Sequence, residues 1–82
     1  HGYLVSSFLS PKTNRRTDEY GATPKDRLRF LFRIIEGIRA AVPSTFALGV
    51  KLNSADFSSG GLTEDDAEDQ IRWLDEHGGL DF

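Results

Sequence analysis

The sequence predicts a parallel α/β protein, and three observations lead there. Two segments carry apolar residues at three- and four-residue spacing, each with a capping residue at its start. Between them the run 46–53 (FALGVKLN) alternates its side chains as a buried strand does. Apolar stubs stand at both ends of the chain. The order is therefore strand end, helix, strand, helix, strand start, the pattern of a parallel sheet covered by helices.

Composition narrows the class. The chain has 82 residues, 38% hydrophobic and 28% charged, ordinary values for a globular protein. A chain this short buries a small share of its surface, and it has no cysteine to staple it. His1 and His77 have no partner at metal-ligand spacing, so no metal site is predicted. A net charge of −3 argues against a nucleic-acid partner. Arg15, Arg16, Arg27, Arg29 and Arg33 are interleaved with acidic residues, which predicts a solvated, ion-paired surface. No apolar run approaches the ~20 residues of a membrane span. With no signal peptide at the N-terminus, the expectation is a cytoplasmic protein without a membrane partner. The chain opens on His1 and contains no methionine. The expectation is one incomplete domain over residues 1–82, an internal piece with too few strands to close a barrel and inactive by itself.

Residues 1–10 (HGYLVSSFLS) are apolar and aromatic without a clear period, and read as a strand end or a short helix. Residues 11–22 form a polar loop punctuated by Pro11, Asn14 and Gly21. A loop that long in a compact domain often carries function. The first helix is predicted from Thr23 as N-cap and Pro24 at its first position, with Asp26 placed to complete a capping box. Leu28, Leu31, Ile35, Ile38 and Val42 form its apolar stripe, and Pro43 stops it.

In the strand 46–53, Leu48, Val50 and Leu52 share the face that packs under helices. Ala47, Gly49, Lys51 and Asn53 share the other, small at its start and polar at its end. The inside of a parallel barrel has that character: narrow within, chemistry at the carboxyl rim. A Gly/Ser loop, 54–62, leads to a second helix capped by Thr63, with Glu64, Asp65 and Asp66 in the first turn. Its inner stripe is Ala67, Ile71 and Leu74, with Trp73 on the flank. Gly78 is its expected left-handed cap, and residues 80–82 begin a further strand.

Several residues invite a chemical reading. Tyr3 beside His1 offers a phenol that can protonate a carbanion-like carbon and an imidazole that can hydrogen-bond a carbonyl oxygen. On spacing alone the pair reads more simply as packing. Lys51 stands in an otherwise apolar strand, where an ammonium must find an electron-rich partner or snorkel to solvent. Both readings of it stay open. Asp18 and Glu19 are read as partners of Arg15, Arg16 or loop amides rather than as a carboxylate pair. Asp56 is placed to cap its loop or orient Lys51. The Gly60–Gly61 pair is poor evidence for phosphate binding, and Ser54, Ser58 and Ser59 have no base at useful spacing.

The run HGYLVSSFLSPKTNRRTDEYG, followed by DRLRF, resembles a signature of the old yellow enzyme family of FMN-dependent ene reductases. The similarity continues through GVKLNSADF, the GGL before the second helix and the terminal LDF. It implies a fragment of a (β/α)8 TIM barrel running from the end of strand four, through helix four, strand five and helix five, to the start of strand six. It also implies FMN at the barrel mouth and NAD(P)H as reductant, with electron-poor alkenes such as enones as the small-molecule substrates. On that map hydride reaches the alkene β-carbon from flavin N5, and Tyr3 protonates the α-carbon. His1 holds the substrate carbonyl oxygen, and Lys51 lies beside the flavin pyrimidine, where a cation favours negative charge. Ser7, Ala22 and Asp26 depart from the pattern, all at supporting positions. A rival from another class is a non-catalytic truncated barrel acting as a scaffold or interaction module, whose uncovered edges would favour self-association. An aldolase using Lys51 as a Schiff base is disfavoured.

Overall fold

Leu28, with none of its surface exposed, is the centre on which the described helices converge. The computed structural model describes residues 4–52, 61 and 63–82. The elements are α1 (Leu4–Leu9), a 3-10 turn (Asp26–Leu28), α2 (Arg29–Ala41) and α3 (Glu64–His77). Leu9, Leu28, Leu31, Ile35 and Leu74 form the buried cluster, one or more from each element. Residues 4–9 are thus a helix rather than a strand end. Pro11, which cannot donate to a continuing ladder, follows its last turn closely. The helix is fixed to α2 by Phe8 stacked on Phe30 at 4.4 Å.

The start of α2 lies later than predicted. The Thr23 hydroxyl does accept from the Asp26 amide, at 3.1 Å, as a cap should. The bond leads into a tighter 3-10 turn whose own N-cap position is Lys25, and the α-helix proper begins at Arg29. Asp26 turns its carboxylate to Arg29 Nη2, at 3.5 Å, and not back to the cap. At the other end Val42 is extended (φ −120°, ψ 155°), the conformation that Pro43 imposes on the residue before it.

The second capping prediction holds in full. Thr63 accepts from the Asp66 amide at 3.2 Å, and Asp66 accepts from the Thr63 amide at 3.0 Å. Gly78 closes α3 with φ 76° and ψ −172°, so a positive φ is used, in the extended glycine region rather than the left-handed helical one. The inner stripe needs correction. Ala67 and Leu74 are buried as expected, but the third buried residue is Gln70, and Ile71 is 59% exposed. Ala67, Gln70 and Leu74 lie three and four residues apart and face the cluster directly. Ile71 falls beyond them, where no described residue covers it.

The predicted strands 46–53 and 80–82 are not strands among the described residues. Two bonds run between extended segments in parallel sense: Asp81 N–H to Leu48 O, 2.7 Å, and Val50 N–H to Phe82 O, 3.0 Å. A regular parallel ladder would use the Asp81 carbonyl for the second bond. The offset of one residue breaks the repeat, and a lone pair of strands is marginal in any case. The strand part of the α/β reading is therefore not realised among the described residues, whose regular elements are all helical. Leu48, Val50 and Leu52 nonetheless pack against the cluster from the face predicted for them.

Leu28→Ala removes the most buried side chain of this cluster. It is expected to lower the stability of the folded protein by about 3 kcal/mol, read from chemical denaturation.

Candidate functional site

Of the three predicted site residues, Lys51 alone lies among the described residues; His1 and Tyr3 lie outside them, as do Asp56, Gly60 and the three loop serines. Lys51 is exposed, on the opposite side of its segment from the half-buried Leu48, Val50 and Leu52. It makes no ion pair or hydrogen bond with another described residue.

Two polar clusters hold the segments around these positions. The first organises the loop that follows α1. Asn14 is only 6% exposed, and its Nδ2 donates to Phe8 O at 2.6 Å and to Tyr20 O at 2.8 Å. Its Oδ1 accepts from the Arg16 amide at 3.1 Å. One side chain thus satisfies three backbone groups and closes residues 8–20 into a ring. Gly21 completes it: a Cβ there would collide with the Asn14 oxygen and sit 2.8 Å from Arg16 Cβ. Sequence reasoning took Asn14 only as loop punctuation. An amide side chain in a loop too long for a simple turn was the signal for this role.

Asp18 binds Arg16 and accepts from the Tyr20 amide at 3.0 Å, in keeping with the ion-paired reading of this loop. The Arg16 side chain and then the Tyr20 amide hold its carboxyl below the ordinary aspartate range. Arg27 departs from that reading, since its Nε is buried without a hydrogen-bond partner.

The second cluster joins the C-terminal end of α2 to both extended segments. Arg39 donates through Nε to Gly79 O, through Nη1 to Phe46 O at 2.9 Å, and through Nη2 to Asp81 Oδ2 at 2.5 Å. The same Asp81 oxygen accepts from the Leu48 amide at 2.8 Å. The Leu48 amide, then Arg39, holds the Asp81 carboxyl below its ordinary value. A depressed carboxyl stabilises the fold above the unfolded value, near ~3.9, and the contribution is lost as pH falls through the folded value. Nearby, His77 stacks on Phe32 at 4.4 Å and meets Glu36 at 3.1 Å through Nε2, tying α3 to α2.

Among the described residues no group of His, Cys, Asp or Glu is arranged to hold a metal ion, and no helix is long and apolar enough to cross a membrane.

A sequence profile of the NADH:flavin oxidoreductase / NADH oxidase family matches residues 1–79. The chain belongs to that family. Among curated relatives it is 44% identical, over its whole length, to the NADH-dependent flavin oxidoreductase iliE of Neonectria sp. (strain DH2). It is 50% identical over 56 residues to the protein of the same name from Hypocrea jecorina (strain QM6a). It spans 10% and 14% of the lengths of these two flavin oxidoreductases. Among solved structures, a 2-naphthoyl-CoA reductase in complex with 2-naphthoyl-CoA superposes with a TM-score of 0.89 at 38% identity, covering 98% of this chain and 12% of the reductase. The family assignment agrees with the motif resemblance. It also shows that the described helices follow the course of a segment within a larger reductase.

Asn14→Ala leaves the Phe8 and Tyr20 carbonyls without their donor. In the full-length protein the loop is expected to open, at a cost of about 2 kcal/mol. Limited trypsinolysis at Lys12, Arg15 and Arg16 should accelerate severalfold, followed by mass spectrometry.

Proposed function

We propose that the full-length protein is an FMN-dependent NAD(P)H oxidoreductase that reduces electron-poor alkenes, enones among them. The observation that carries the reading is family membership across residues 1–79, with relatives named for NADH and flavin. The substrate class draws support from the ligand of the similar reductase, 2-naphthoyl-CoA, whose unsaturated ring is conjugated to a carbonyl. When bound, FMN supplies the hydride taken from NAD(P)H.

Three residues of this chain have roles in that chemistry. The His1 imidazole donates a hydrogen bond to the substrate carbonyl oxygen and draws charge onto it, which makes the β-carbon electrophilic. Tyr3 delivers a proton from its phenol to the α-carbon as hydride arrives at the β-carbon, and solvent restores the phenol proton. The balance is one NAD(P)H and one proton consumed per alkene reduced. The Lys51 ammonium would help to hold the flavin, and its positive charge would favour the reduced, negatively charged ring. Its exposure and freedom from internal ion pairs among the described residues favour this role.

Tyr3→Phe in the complete flavoprotein separates the two half-reactions. Flavin reduction by the nicotinamide should proceed at the rate of the unsubstituted protein, while enone turnover falls by about a hundredfold. Stopped-flow absorbance follows the first and product analysis the second. Undiminished turnover would remove Tyr3 from the mechanism.

A further inference from the structure

Lys51 follows directly on a segment whose backbone is gripped at alternate residues by Arg39, Asp81 and the Phe82 backbone. Phe46 O accepts from Arg39, Leu48 N–H donates to the Asp81 carboxylate, and Val50 N–H donates to Phe82 O. The Leu48 carbonyl also accepts from the Asp81 amide at 2.7 Å, so both polar groups of Leu48 are bound by one residue. On an extended chain, residues 46, 48 and 50 present their backbone groups to the same edge. Their grip fixes which face each side chain takes. A slip of one residue would turn Lys51 into the apolar face now held by Leu48, Val50 and Leu52, and would expose those three. Burying the ammonium there without a partner opposes the slip, and the hydrogen bonds oppose it as well.

The residue types fit the task. Arg39 reaches three acceptors on two segments at once, which needs the planar fork of a guanidinium; a lysine ammonium is a single point. Asp81 serves the Leu48 amide and Arg39 with the same oxygen, so removing it loosens both. Gly49 allows the segments to close, because a Cβ there would collide with the Phe82 ring.

We propose that Arg39 and Asp81 are positioning residues for Lys51: together they lock the register of residues 46–50 and so aim the ammonium at the flavin. The inference rests on the reading of Lys51 as a flavin contact. The experiment uses the full-length flavoprotein, with Lys51→Gln, Asp81→Ala, Arg39→Lys and the Lys51→Gln/Asp81→Ala double variant. Two readouts are taken, the flavin reduction potential and amide hydrogen exchange over residues 46–52. Lys51→Gln should lower the potential. Asp81→Ala and Arg39→Lys should lower it in the same direction, and the double variant should go no lower than Lys51→Gln alone. Exchange at Leu48 should rise about tenfold or more in Asp81→Ala, the effect of losing one charge-assisted hydrogen bond, while α2 and α3 keep their protection.

If Lys51→Gln leaves the potential unchanged, the flavin-contact reading fails and this inference goes with it. If Lys51→Gln shifts the potential while the Asp81 and Arg39 variants do not, the positioning role alone is overturned. An additive double variant also overturns it, because Asp81 would then act by another route. Should Asp81→Ala fail to fold, Arg39→Lys carries the test by the same criteria.

Discussion

The guanidinium of Arg39 is the constraint on which the arrangement of segments depends. Its three donors reach Phe46 O, Gly79 O and the Asp81 carboxylate. They bind the end of α2 to two stretches of chain that share few other polar contacts. Apolar packing supplies the attraction between these parts, through Leu48, Val50 and Leu52 against the buried cluster. Such packing disfavours a slip of one residue, which would expose these side chains, but it does not fix which backbone groups pair. The directional bonds do. Because side chains alternate along an extended segment, that choice decides whether Lys51 faces solvent or the core.

The other end of the chain shows the same division of labour. Phe8 on Phe30 and Leu9 beside Leu28 hold α1 to α2 by contact area. Asn14 sets the path of the loop by binding Phe8 O, Tyr20 O and the Arg16 amide. Its near-complete burial strengthens those bonds and makes the loss of any one expensive. The loop that follows the position of Tyr3 is therefore built around a fixed amide, with the Arg16–Asp18 pair outside it in solvent. A surface pair of that kind adds little by itself.

The large apolar groups still facing solvent belong to the same picture. Leu4, Phe46, Ile71 and Phe82 are each more than half exposed. Val50, Leu52, Ile71, Leu74, Leu80 and Phe82 line one open cavity. The chain spans about a tenth of the NADH-dependent flavin oxidoreductase of Neonectria. In the similar 2-naphthoyl-CoA reductase the matching segment is 12% of a longer chain. Ile71 illustrates the effect: its helical spacing marks it as inward, yet no described residue meets it.

What the sequence alone determined is local or carried by motif. The Thr63 cap, the stop at Pro43 and the stripe through Leu28, Leu31 and Ile35 follow from contacts between residues close in the chain, which any reader of it can see. The family followed from HGYL, the DEYG loop and GVKLN, because runs of that specificity rarely arise by chance. The tertiary structure decided what depends on distant partners. Residues 46–52 have the alternation of a strand, but a strand is a property of its neighbours, and two offset bonds to residues 81 and 82 do not make a ladder. The roles of Asn14, Arg39 and Asp81 were hidden for the same reason. A polar side chain gives no sign in the sequence of which backbone groups, up to 40 positions away, it will bind, and only the folded chain brings those groups within reach.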